Sequence, residues 1–324
     1  MSCEGLGFGG AQASRPANTS QLKSFTHMKF LQGVLGAVAL VLAGDLAVQA
    51  QKDFLVCGDS KLLVVDYLSS KDSIPAIRRE WDASRDADLP EIFRTRKFRS
   101  MDDCKVSPDG KQLLVSSSSG GVALLHYPEM KVVFFTEVGN AHSIEFLPGG
   151  LIAVAGSTHP QGNKVAIFNP AVSDQPLAQD SLYSGHGVVW HAKKKLLYAL
   201  GLDVLRAYTV ESDARGIVRL TKTKEWKIEG QSGHDLFLTA DGKQLYITEH
   251  TGVWTFDLKK EKFGKMPDFP DKPDIKSIGR NREGQILYTQ PEESWWTFSV
   301  KTLHPERKFV IPGLKIYKAR WVKL

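Results

Sequence analysis

Residues 232–258 read SGHDLFLTADGKQLYITEHTGVWTFDL. His234 opens an alternating apolar run, TADG breaks it, QLYITE follows, and VWTFDL comes after a second short break. Apolar residues at period two, bounded by Asp-Gly or a comparable turn, mark short antiparallel strands. The glycine supplies the positive φ such turns demand. The unit is therefore a three-strand meander headed by a histidine.

The same grammar recurs along the chain. DDCKV, SPDG and KQLLVSS occupy 102–117, and HSIEF, LPGG and LIAVAG occupy 142–156. HGVVW, HAKK and KLLYALG occupy 186–201, and IKSI, NREG and QILYTQ fall within 275–290. Each is followed by a third strand: VALLHY, KVAIFN, VLRAYTV, VWTFDL and WWTFSV. Weaker outer strands such as VVFFTEV and EWKI complete several units. No stretch of ten or more residues between 51 and 324 holds a helical period, so the chain reads as all-β. FLVCG and KLLVVDY near residue 55 look like the second and third strands of a unit lacking its first, and 315–322 (KIYKARWV) is a lone first strand. Joining them predicts a six-bladed β-propeller whose N- and C-terminal strands share the closing blade, which leaves no open sheet edge. Six units over 51–324 average about 46 residues each, as four-stranded blades require.

The blade grammar SPDGKQLLV and TADGKQLYI resembles the broad superfamily of six- and seven-bladed propellers, which includes WD40 and related secreted bacterial propellers. Gly233-His234 with Phe256-Asp257 is similar to a WD40 blade, although the other units end in HYP, FNP, YTV and FSV. Among exported propellers the chain is also similar to carbohydrate-active ones. The resemblance implies the fold and brings no catalytic residue with it.

The N-terminal region reads as processing signal. Met28-Lys29 is followed by the apolar run Val34–Gly44 and by Val48-Gln49-Ala50, with small residues where a leader peptidase needs them. The expectation is an upstream extension at 1–27 that results from a misplaced start, a signal peptide at 28–50, and a single propeller domain at 51–324. This predicts a secreted or periplasmic protein with no stable membrane insertion after cleavage. Only Cys57 and Cys104 fall in 51–324, too few for a disulfide framework. Whether they pair stays open. The chain has 42 Lys+Arg against 36 Asp+Glu, a mild excess of +6. No basic run suggests nucleic-acid binding, so the expected partner is an anionic oligosaccharide or polysaccharide, and the expected state is a monomer.

Aligning first strands places Asp103, His142, His186, His234, Lys276 and Lys318 at one position around the central channel. A histidine there is also a common structural feature of WD40-like blades. Lysines and an aspartate in the same register are not, and crowding basic groups opposes stability. The candidate catalytic residues are His142, His186, His234 and Asp103. The candidate substrate contacts are Lys276, Lys318, Glu249, His250 and Arg99, the last on the Arg-rich segment 83–101 that is expected to overhang the channel mouth. His142, His186 and His234 could also hold a divalent metal (Mn, Zn or Ca). Trp295-Trp296 reads as packing on the sixth unit's third strand, and His191 with Lys193–Lys195 as solvated surface. The expected activity is a lyase on a uronate or sulfated glycan, with lysines neutralising the acid and a histidine as base. The rivals are a glycoside hydrolase using Asp103 and Glu249, and a non-catalytic binding or scaffold propeller. A calcium lactonase is disfavoured because the ring carries one carboxylate.

Overall fold

Adjacent residues on the strand Gln112–Ser117 are buried on opposite sides. Leu113 and Val115 pack in one apolar cluster with Leu55, Val64 and Trp81, whereas Leu114 packs in another with Ile144, Val154 and Phe168. Side chains alternate across a strand, so this strand lies between two neighbouring sheets and needs apolar residues on both faces. The same holds all round the molecule. In the computed structural model, which describes residues 52–322, six four-stranded antiparallel sheets are separated by six interblade cores. The segments 1–27 and 28–50, read above as extension and signal peptide, lie outside the described residues.

The strands in chain order are β1 (Asp53–Gly58), β2 (Lys61–Lys71) and β3 (Ile74–Asp82), then β4 (Met101–Val106), β5 (Gln112–Ser117), β6 (Gly121–His126) and β7 (Lys131–Glu137). The third blade is β8 (Ala141–Phe146), β9 (Ile152–Gly156), β10 (Lys164–Phe168) and β11 (Ala178–Ser181). The fourth is β12 (Gly187–His191), β13 (Leu196–Leu200), β14 (Val204–Ser212) and β15 (Val218–Lys227). The fifth is β16 (Asp235–Leu238), β17 (Gln244–Glu249), β18 (Gly252–Asp257) and β19 (Lys262–Lys265), and the sixth β20 (Ser277–Arg280), β21 (Ile286–Thr289), β22 (Ser299–Leu303) and β23 (Arg307–Val310). The last strand, β24 (Ile316–Trp321), pairs antiparallel with β1, so the first blade has the order β24-β1-β2-β3. The inner strands touch in the cycle β4, β8, β12, β16, β20, β24 and back to β4. The propeller is closed by its two chain ends, as the split first unit implied.

The inner turns follow their sequence signals. Gly110, Gly150, Gly242 and Gly284 all have positive φ, and the fourth blade, which lacks glycine there, uses Lys195 at φ 54. That turn is not a free surface loop. His191 is buried, its Nε2 donates to Gly242 O at 2.9 Å and its Nδ1 accepts from Lys194 N at 3.1 Å. The histidine locks the fourth blade to the fifth and is not solvated. Cys57 and Cys104 are free thiols buried in the core between the first two blades.

At the axis a plug of charge replaces apolar packing. Arg320 on β24 donates to both oxygens of Asp235 at 2.6 Å and to Asp103 at 2.8 Å. Lys318 lies 3.2 Å from Asp235 and donates to the carbonyls of His142 and His186 at 3.0 and 2.8 Å. Ser143 donates to Asp103 at 2.7 Å. Two cations thus meet two carboxylates. Burial pushes Asp103 towards protonation, but Arg320 and Lys318 more than offset it and hold the carboxyl well below its usual range. Removing one partner of a buried pair leaves an uncompensated charge. Asp235→Ala is therefore expected to lower the unfolding free energy by about 3–5 kcal/mol in urea titration. Lys61→Ala, which breaks the exposed 2.6 Å pair with Glu80, should cost below about 1 kcal/mol.

Candidate functional site

The cross-strand register decides which residues reach the channel mouth. Asp103 lies opposite Ser116, Ser143 opposite Ala155, Gly187 opposite Leu200 and Asp235 opposite Thr248. Ser277 lies opposite Thr289 and Lys318 opposite Cys57. These six form one layer, and the plug is built from it. The layer at the mouth is the preceding residue of each strand: Asp102, His142, His186, His234, Lys276 and Tyr317. The sequence alignment was thus correct for four blades and one residue off for Asp103 and Lys318. Three of the mouth residues sit at β-bulges, where the register shifts between Met101 and Asp103, between Ala141 and Ser143, and around Tyr317. A bulge inserts an unpaired residue and re-aims it, and strand spacing alone does not reveal it. Counting five residues back from Ser107, Leu147, His191, Thr239, Asn281 and Val322, at the far ends of the six inner strands, would have found Asp102 and Tyr317.

The one-residue step changes the chemistry open to Asp103 and Lys318. Both are fully buried and bonded within the plug, so neither can serve as an acid at the mouth or as a contact for a substrate anion. Glu249 is equally committed. It is buried and accepts from the amides of Thr251 and Gln231 at 2.8 and 3.3 Å and from Trp254 Nε1 at 2.7 Å. It shapes the turn that carries His250. The pair nominated for glycoside hydrolysis, Asp103 and Glu249, is thus committed to the fold.

Arg99 is exposed, and its segment does not cover the mouth. Phe93, on the π-helical turn Phe93–Lys97, packs on Phe135 at 4.8 Å, and Lys97 pairs with Glu137, both on the outermost strand β7. No hydrogen bond, ion pair or ring contact among the described residues joins Arg94, Arg96 or Arg99 to the histidines. The two Phe anchors, Phe93 and Phe98, pull the segment to the blade periphery.

What remains at the mouth is a cup walled by rings. His142 and His186 stand 4.4 Å apart edge to face, His186 and His234 5.9 Å, and His234 and His250 4.8 Å. On the other side His142 meets Tyr317 at 5.5 Å, and Tyr317 meets Trp296 at 5.8 Å. Lys276 Nζ lies 2.8 Å from His234 Nε2 and 5.7 Å from the ring of Trp295, which is 59% exposed. Trp295 and Trp296 are not on a strand, because β22 starts only at Ser299. They top a loop held by Glu292, which accepts from Thr297, Phe298 and Ser299.

The hydrogen bonds fix two tautomers. His142 Nδ1 faces Asn140 O at 3.2 Å and His186 Nδ1 faces Ser184 O at 2.8 Å. A carbonyl only accepts, so each Nδ1 carries the proton and each neutral ring has a bare Nε2. Both rings retain some exposed area but are walled on every side. Desolvation lowers His142 well below the usual imidazole range and His186 to about 4. Desolvation also raises Asp102 to about 8, so it is a neutral acid near pH 7, and raises Tyr317 well above its usual value. Lys276, forming no ion pair among the described residues, is lowered by burial to about 8.

A cavity of about 850 Å3 opens at the opposite end of the channel, lined by Lys105, Glu145, Trp190, Phe237, Arg320 and Trp321. Lys105 and Glu145 in its wall pair at 2.9 Å, and Arg320 is committed to the plug. The histidine mouth, with unpaired ring nitrogens and a lone ammonium, is the better candidate for chemistry.

A family model described as "Family of unknown function (DUF6528)" matches residues 79–323. Two curated dipeptidyl-peptidase 5 sequences of Aspergillus fumigatus are 33% and 32% identical over 121 residues, which is 35% of this chain. The match spans only 15% of the length of those relatives. Among solved structures, Kuenenia stuttgartiensis hydrazine synthase aligns over 66% of this chain and 67% of its own, at 14% identity and a TM-score of 0.46.

The two lowered imidazoles make stability depend on pH. Between 6.5, their ordinary value, and about 4, the unfolded chain binds protons that the folded chain excludes. Stability then rises with pH, by up to about 1.4 kcal/mol per unit for each such histidine. Urea midpoints are expected to fall as pH is lowered from 6.5 towards 4, and a His142→Gln, His186→Gln double variant should show a flatter profile across that window.

Proposed function

The chain belongs to the DUF6528 family, whose description assigns no activity, and we propose that its axial cup binds an acidic sugar and cleaves a uronate-containing glycan by β-elimination. The reading is carried by one arrangement: two imidazoles with bare Nε2 atoms beside an ammonium that forms no ion pair among the described residues and lies against an exposed indole. Lys276 pairs with the sugar carboxylate and so makes the neighbouring C–H more acidic. Nε2 of His186 or His142 takes that proton, the C–H electrons form the new C=C bond, and the glycosidic C–O electrons leave with the departing oxygen. Tyr317, whose phenol keeps its proton beside His142, is the available acid for that oxygen. Trp295 offers its face to the sugar ring, as exposed aromatic residues do for apolar sugar faces.

This narrows the role of lysine to Lys276, since Lys318 belongs to the plug. It also accommodates a protein exported by the leader read in residues 28–50. A non-catalytic propeller that holds the same ligand without cleaving it is the outcome that would replace this reading.

Acidic oligosaccharides incubated with the protein are expected to develop the ultraviolet absorbance of an unsaturated uronate. His186→Ala should lower that rate by about 10²–10⁴-fold, the usual contribution of a general base. Lys276→Ala should lower it together with ligand affinity. Ligand binding with no unsaturated product, or activity unchanged in both variants, rules the lyase out.

A further inference from the structure

The mouth carries a second constellation, made of different residues and independent of the glycan reading. Among the described residues, one group of histidine, cysteine and carboxylate side chains has donor atoms all within 4.8 Å of one another: His234, His250 and Asp274. The sequence-predicted trio His142, His186 and His234 is not such a group. His142 and His186 spend Nδ1 on backbone carbonyls, whereas His234 has both a histidine and a carboxylate beside it across the rim.

The three come from separate pieces of chain that the backbone ties together. His234 heads the inner strand of the fifth blade, His250 tops the turn between β17 and β18, and Asp274 lies on the crossing to the sixth blade at φ 60. Asp274 N donates to His250 O at 3.1 Å, His250 N to Gln231 O at 3.4 Å, and Gln290 Nε2 to Pro273 O at 3.1 Å. His250 Nδ1 meets Asp274 Oδ1 at 2.5 Å. His234 is buried, and its Nδ1, which keeps the proton of the neutral ring, has no hydrogen-bond partner among the described residues. Its Nε2 is held by the ammonium of Lys276 at 2.8 Å, a cation placed against a ring that needs none.

The geometry points to a divalent transition-metal site formed by His234, His250 and Asp274, with the metal replacing the Lys276 ammonium as the cation at His234. Two imidazoles and one carboxylate suit zinc and its first-row neighbours, and leave coordination positions open to a further ligand from the cup. Calcium wants six to eight oxygen ligands and is excluded by this donor set. Metal–nitrogen and metal–oxygen bonds of about 2.0–2.2 Å require donors roughly 3.3 Å apart. His250, exposed, and Asp274, half-buried, need only part slightly while His234 is approached. The ring proton that His250 now shares with Asp274 moves to its Nε2. Lys276 is freed from His234 and stays over Trp295.

The test is zinc titration of the whole protein by calorimetry at neutral pH with no glycan present, alongside thermal unfolding with and without zinc. One zinc per chain is expected, with a thermal shift that His250→Ala and Asp274→Ala abolish, each weakening affinity at least about tenfold. The exposed His126→Ala should change nothing. Lys276→Met should tighten zinc binding, because the competing ammonium is gone. Undiminished zinc binding in His250→Ala and Asp274→Ala, or equal or weaker binding in Lys276→Met, overturns the proposal. Since zinc binding is read without substrate, its failure and failure of the lyase reading are separate results.

Discussion

The salt-bridged plug at the axis is the interaction on which the rest of the molecule depends. Arg320 reaches Asp103 and Asp235, which belong to the second and fifth blades, while Arg320 itself belongs to the strand that closes the first. Six twisted sheets packed by apolar cores alone would leave a water-filled hole where their inner strands meet. Buried charges are tolerated there because each is paired and hydrogen-bonded, and they are costly if any one is removed. Ring closure and the filling of the channel are therefore one event, produced by residues on β24.

The plug also sets the chemistry of the mouth above it. Lys318 donates to the carbonyls of His142 and His186, so the cation that neutralises Asp235 also holds the backbone from which two cup histidines project. The positive charge beneath those rings, together with their desolvation, keeps the imidazoles neutral. A base or a metal ligand must be neutral to act. The same desolvation keeps Asp102 protonated, so the cup holds neutral imidazoles, a neutral acid and one ammonium, and carries little fixed negative charge apart from Asp274 on its rim. Such a lining favours an anion or a transition metal over an organic cation.

The fold was legible because a propeller repeats itself. Each of the five inner turns has a residue at positive φ, and four of the five show glycine there, which gave the period directly from SPDG, LPGG, TADG and NREG. A unit lacking its first strand at one end and a lone first strand at the other gave the closure. The site was legible only in outline. Four of the six mouth residues could be aligned from strand starts, but Asp102 and Tyr317 were each missed by one position, and one residue of slip exchanges the mouth for the interior. Asp274 had no signal, since it lies on a crossing between blades with no repeat to align it. The opposite error befell Arg99, where an Arg-rich segment looked like a lid and two phenylalanines tied it down elsewhere.

The sequence alone determined the blade count, the shared closing blade and the histidines gathered at one end of a channel, because these follow from local turn chemistry and from period. Only the tertiary structure decided which side chains are free. Lysine and aspartate read alike in a strand-start alignment, yet Lys318 and Asp103 are consumed by partners far away in the chain, and Lys276 forms no ion pair among the described residues. That difference arises from contacts between separate blades, which no local pattern encodes.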